Sequence, residues 1–126
     1  MKRIFLGMLI LCGSYSLATP TQVEVMIGVN DALIPGGFDA QSEVNVIVSG
    51  LFPNGCYRWK EARVNHLTAE KVHVVSSYAS VYQGMCPMVL VPYTKEVNLG
   101  QLGAGEHKIR FLNGDGTYME KTLTLE

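Results

Sequence analysis

Three histidines, His66, His73 and His107, and the sulfur-rich stretch Met85-Cys86-Pro87-Met88 have the widest chemical range in this sequence. Imidazole and thioether donors together would suit copper. The spacing argues against a chelate. There is no His-x-His and no Cys-x-x-Cys, and His66 and His73 stand seven residues apart, on or beside different strands. No metal site and no cofactor is therefore expected. His107 is expected to hydrogen-bond a nearby carbonyl, and the methionines to fill core space.

Nucleophilic chemistry is no better supported. Ser76, Ser77 and Ser80 lack the Gly-x-Ser-x-Gly elbow that strains and exposes a catalytic serine. Cys86 could serve as a nucleophile beside a histidine, but a disulfide accounts for both Cys56 and Cys86. Asp31, Asp39 and Glu43 fall in or beside a loop, without the spacing of a glycosidase pair. Asn113-Gly114-Asp115-Gly116-Thr117 superficially suggests a calcium loop, yet Glu120 comes too early to close one, so a hairpin turn is expected. No catalytic residue is expected and the chain does not read as an enzyme. The best contact surface in the sequence is Tyr78, Tyr82 and Tyr93, around the stretch Ser76–Pro87. Tyrosines on a loop give contact area at little entropic cost, and long loops on rigid sandwiches often carry recognition. The competing reading is that these rings cover the core edge and the disulfide.

The chain opens with Met1-Lys2-Arg3, an apolar run from Ile4 to Cys12, and Ser16-Leu17-Ala18. That is a basic n-region, an h-region and a small-residue cleavage site, so residues 1–18 read as a signal peptide and Thr19 as the new N-terminus. The run is shorter than the roughly 20 residues a transmembrane helix needs. A second processing route would lipidate Cys12, but that pattern wants a small residue before the cysteine and Leu11 is large. The expected location is periplasmic or secreted. Cleavage takes Lys2 and Arg3 from the 10 basic residues and none of the 11 acidic ones, leaving a net charge of −3. Such a domain has no electrostatic footprint for nucleic acid. Two of the three cysteines then remain, Cys56 and Cys86, in a compartment where disulfides persist.

These residues must be positioned mostly by strands, since period-2 segments and turn residues dominate the chain. Val23 to Val29, Val44 to Val48 and Cys56 to Val64 read as strands. In the third, Trp59 lies in one phase and Ala62 and Val64 in the other, so a bulge is expected near Lys60. Val72, Val74 and Val75 mark a fourth strand, and Ser76–Pro87 is less regular. Leu67–Lys71 could hold a helical turn. Apolar Met88–Tyr93 leads into an alternating segment to Leu99. His107 to Leu112 and Met119 to Leu125 flank the Asn-Gly turn. The whole suggests one all-β domain over 19–126, an antiparallel sandwich of about seven strands with one disulfide, a closed barrel being the other solution. Trp59 is expected in the core near the bridge.

Val46, Val48 and Gly50, then Pro53, Cys56, Cys86, Pro92, Val97-x-Leu99 and Leu102-x-x-Gly105-x-His107-x-Ile109 resemble small immunoglobulin-like domains of exported bacterial proteins and lipoproteins. The similarity covers about Val44 to Phe111. It implies a scaffold and a disulfide but no activity. Where such domains commonly carry a tyrosine, this chain has His107. The expected function is a non-enzymatic binding or structural module of the bacterial cell envelope, contacting an unknown envelope or extracellular protein. The alternative is a small exported metal-handling protein or hydrolase using its His and Cys residues.

Overall fold

A computed structural model describes residues 21–126. The expected signal peptide and Cys12 lie outside the described residues. Within them there are eight strands and no helix: β1 (Gln22–Ile27), β2 (Asp31–Leu33), β3 (Glu43–Phe52), β4 (Tyr57–Leu67), β5 (Val72–Tyr82), β6 (Val91–Gln101), β7 (Gly105–Leu112) and β8 (Tyr118–Leu125). They form two sheets, one of β4, β5, β1, β7 and β8 and the other of β2, β3 and β6.

The alternation seen in the sequence sets the core. Val44, Val46 and Val48 on β3 are fully buried, and they share one cluster with Val97 and Leu99 of β6 and with Val75, Ile109 and Phe111 of the other sheet. At the other end of the sandwich a second cluster gathers Ile27, Phe52, Ala79 and Tyr93. Trp59 is half-buried between the two clusters, with its ring tilted against Tyr93 at 5.6 Å. It is therefore a core-edge residue, less enclosed than its strand position suggested.

Strand β5 organises the larger sheet. One edge pairs with β4 along its whole length. On the other edge, Ser77–Tyr82 run antiparallel to β1, while Val72–Val75 run parallel to β7. Strands β1 and β7 thus follow one another along the same edge of β5. Five of the six pairings are antiparallel, and the expected uniform antiparallel pairing fails only at β5–β7. A parallel pair needs a long crossover. Here the crossover is β6, a strand of the opposite sheet, and no helix is required.

The Lys60 bulge is present, as a register shift between Trp59 and Glu61 that turns both Trp59 and Ala62 toward the core. The Asn113–Thr117 hairpin turn is present too, with the Asn113 amide donating to the Thr117 carbonyl at 2.8 Å. Three features differ from expectation. The short β2 pairs with Ile47–Ser49. Strand β5 continues through Ser76–Tyr82, because its inward residues there are the small, buried Ser77 and Ala79, which give a weak hydrophobic signal. And Leu67–Lys71 forms a turn, with Lys71 at a φ of 54°, and no helical turn.

Candidate functional site

The loop between β5 and β6, residues 83–90, is the least covered apolar segment among the described residues. Met85 is 99 % exposed and Met88 83 %, and Val89 and Leu90 are exposed beside them. The apolar run Met88–Tyr93 predicts a strand beginning at Met88. Pro87 and the Cys86 bond instead hold this stretch out of the ladder, and pairing resumes only at Val91, opposite Phe52.

The loop is fastened at its base. Cys56 and Cys86 form the disulfide, with Cα atoms 5.3 Å apart across 30 residues of sequence, within the ordinary range for such bonds. The Gly55 amide donates to the Pro87 carbonyl at 2.9 Å, and the Tyr82 amide to the Cys56 carbonyl at 3.0 Å. A Cβ on Gly84 would require the exposed Tyr82 ring to swing aside. The apolar tip is therefore held in place at several points.

Two concavities lie near this end of the sandwich, and one of them touches the loop at Cys86. A depression of about 270 Å³ lies against the disulfide, Tyr82, Gln22 and Arg58. An open cleft of about 510 Å³ lies between β4 and β6, the edge strands of the two sheets, with Phe52, Trp59 and Tyr93 as apolar lining and Arg58 and Lys95 as its cations. Arg58 lines both. Neither Arg58 nor Lys95 has a carboxylate within 4 Å among the described residues, whereas Lys60, Arg63 and Arg110 are each paired.

The three tyrosines do not converge. Tyr82 is exposed and belongs to this face. Tyr78 is half-buried on the outer face of the larger sheet, beneath the Arg63 guanidinium at 4.1 Å from its ring. Tyr93 is a correction to the expected surface. It is 7 % exposed, stacks on Phe52 at 4.5 Å, and its hydroxyl donates to the Gly28 carbonyl at 2.6 Å. Its phase on β6 is that of Val97 and Leu99, which face the core. Gly50, its cross-strand partner, leaves the space the ring fills. Burial pushes its phenol pKa upward.

The histidines, by contrast, are brought together. His66 and His73 are cross-strand partners on β4 and β5, with Nδ1 atoms 2.7 Å apart. His73 Nε2 lies 2.9 Å from His107 Nδ1, and His107 Nε2 donates to the Gly103 carbonyl at 2.9 Å, the carbonyl bond expected for this residue. His73 and His107 are buried, and His66 is exposed. Seven residues of separation had suggested distance, but a hairpin with its turn at 68–71 sets those two positions opposite each other. The row is poorly arranged as a chelate, because His73 offers a different ring nitrogen to each neighbour. Among the described residues no group of three His, Cys, Asp or Glu is placed to hold a metal ion.

Met85 and Met88 stand in solvent and do not fill core space as expected, and Leu90 and Arg58 carried no signal that singled them out. The available signal was the Gly84 and Pro87 punctuation on either side of Cys86, which marks a constrained loop more than a strand.

The fold and this face define a disulfide-bonded β-sandwich with a fixed, apolar loop beside a cation-lined cleft. The chain belongs to the ORF11 beta-sandwich domain family, whose model matches residues 46–125. No curated protein and no solved structure matches it. No helix among the described residues is long and apolar enough to cross a membrane.

Proposed function

We propose that this protein is an exported, non-enzymatic binding module of the bacterial cell envelope, immunoglobulin-like in type, that engages a protein partner through the disulfide end of the sandwich. The observation that carries the reading is the apolar loop of residues 83–90. Four large apolar side chains stand in solvent on a segment fixed by a disulfide and by backbone hydrogen bonds. Contiguous exposed apolar surface of this kind marks interaction sites. Fixing it in advance lowers the ordering cost of association. Met side chains adapt to irregular partner surfaces, and Arg58 and Lys95 supply rim charges that would orient a partner. The signal-like residues 1–18 support export, and the disulfide suits an oxidising compartment.

The test compares the mature chain with its Met85→Asp/Met88→Asp double variant as bait for an envelope extract. Both substitutions are on exposed side chains, so the variant should melt within about 2–4 °C of the wild type. A partner held by the wild type and lost by the variant supports the reading. Equal retention of every bound species would remove the loop from recognition.

A further inference from the structure

The His66–His73–His107 row lies at the end of the sandwich away from the disulfide. His73 is the second residue of β5 and Tyr82, beside the bridge, is its last. The row crosses three neighbouring strands, β4, β5 and β7, and ends on the loop carrying Gly103. It spans the place where β5 and β7 pair in parallel over only four residues.

Its protons can be placed from one fixed point. A carbonyl only accepts, so His107 must carry its proton on Nε2 to donate to Gly103. In neutral His107, Nδ1 is then an acceptor, and His73 must donate to it from Nε2. That leaves His73 Nδ1 as an acceptor, and His66 must donate to it from Nδ1. One tautomer at each ring satisfies the whole row. The single nitrogen left over is His66 Nε2, on the exposed ring.

One added proton can enter at His66 Nε2 without reversing any of these bonds. A second cannot be held. If His73 also became cationic, two N–H groups would face each other across a gap now 2.7 Å wide, with two positive charges behind them. No carboxylate relieves this: His73 feels its burial first and then the two flanking imidazoles, which together push its pKa down to about 4. The charged residues around it are occupied or face elsewhere. Lys71, in the β4–β5 turn, reaches the Ala104 carbonyl at 3.4 Å, and Glu70 stands exposed beside it. On β7, Glu106 and Lys108 alternate with His107 onto the other face. On β8, Leu123 is opposite His107, and Lys121, the next residue in that phase, is opposite Ile109. The opposing sheet presents Val44 and Leu99.

We infer that the three-histidine row is an acid-operated latch: neutral, it ties β4, β5 and β7 to the Gly103 loop, and charged, it releases that end of the sandwich while the disulfide end stays closed. The released end can charge His73, which the closed row keeps neutral. Its opening equilibrium therefore rises with the proton concentration, about 10-fold per pH unit, between the ordinary histidine range and the pH at which buried His73 itself charges.

The test is amide hydrogen exchange on the full chain between pH 7 and pH 4.5, corrected for intrinsic exchange. The Lys108 amide, which donates to the Lys71 carbonyl at the latch, should lose protection steeply on acidification. The Tyr82 amide, bonded to Cys56 at the other end, should not follow it. His73→Gln keeps a polar side chain but cannot titrate, and should flatten the pH dependence at Lys108. Nitrogen NMR on the wild type gives a readout that needs no variant to fold: at pH 7.5, His73 and His107 should be Nε2–H and His66 Nδ1–H. A His73 protonated on Nδ1, or Lys108 and Tyr82 losing protection together, would overturn the latch.

Discussion

Ser77 shows what a single misplaced polar atom contributes. Its hydroxyl is fully buried on β5 and has no hydrogen-bond partner among the described residues. A buried hydroxyl without a partner bears a desolvation cost of about 1–3 kcal/mol. Ser77→Ala removes that cost at nearly constant volume, so stability should stay level or rise by about 1 kcal/mol, measured by urea unfolding. A loss above about 1 kcal/mol would show that the hydroxyl has a partner after all. Tyr93 is the opposite case. Its hydroxyl satisfies the Gly28 carbonyl, tying β6 to the end of β1. Tyr93→Phe keeps the ring in the aromatic cluster but orphans that carbonyl, and should cost about 1–2 kcal/mol. An unchanged denaturation midpoint would mean that the carbonyl finds another donor.

At the scale of elements, the disulfide and the bulge do different work. The bond closes a loop of 30 residues, for which the chain-entropy relation gives about 3.6 kcal/mol. Cys56→Ala should lower the melting temperature by roughly 10–25 °C, at about 4–8 °C per kcal/mol with allowance for imperfect geometry. Cys86→Ala should match it, and the double variant should be no worse than either single, since all three remove one bond. Additive losses would mean that each thiol contributes separately. The bulge at Lys60 changes which β4 residues face inward, so that Trp59 packs near the disulfide end and Ala62 and Val64 on the main core. It also disrupts the exposed edge of β4. Pro92 lacks an N–H on β6, an edge strand of the smaller sheet, and both features discourage unwanted strand pairing.

For the molecule as a whole, the buried histidine sets a pH profile. In the folded chain His73 charges only at about 4, against an ordinary 6.5. Between those values the unfolded chain binds the proton and the folded chain does not. Stability is therefore complete above about pH 6.5 and falls as pH drops toward 4. At 1.36 kcal/mol per pH unit the window is worth up to about 3 kcal/mol, and solvent access at the His66 end reduces that to about 2 kcal/mol. The urea midpoint should be lower at pH 4.5 than at pH 7, with the difference largely abolished in His73→Gln. A midpoint that rises on acidification would contradict this assignment.

Much of this architecture is written locally. Alternation placed Val44, Val46, Val48, Ile109 and Phe111 in the core, the phase change placed the bulge, Asn-Gly placed the hairpin, and the cysteine count placed the bridge. Each depends on a period, a dihedral preference or a parity that neighbouring residues carry. The rest depends on which strands become neighbours. That β5 pairs with β1 and β7 in succession along one edge, that β6 serves as the crossover, and that His66, His73 and His107 form one row are facts about residues up to 60 positions apart. Exposure of Met85, Met88 and Leu90 was equally hidden, because an apolar run reads the same whether a sheet covers it or a disulfide holds it clear. Local periodicity marks most of the strands and their apolar faces, but neither β2 nor the second half of β5. Which polar side chains meet is set by how distant strands pack, because no local period encodes the partner of a buried imidazole.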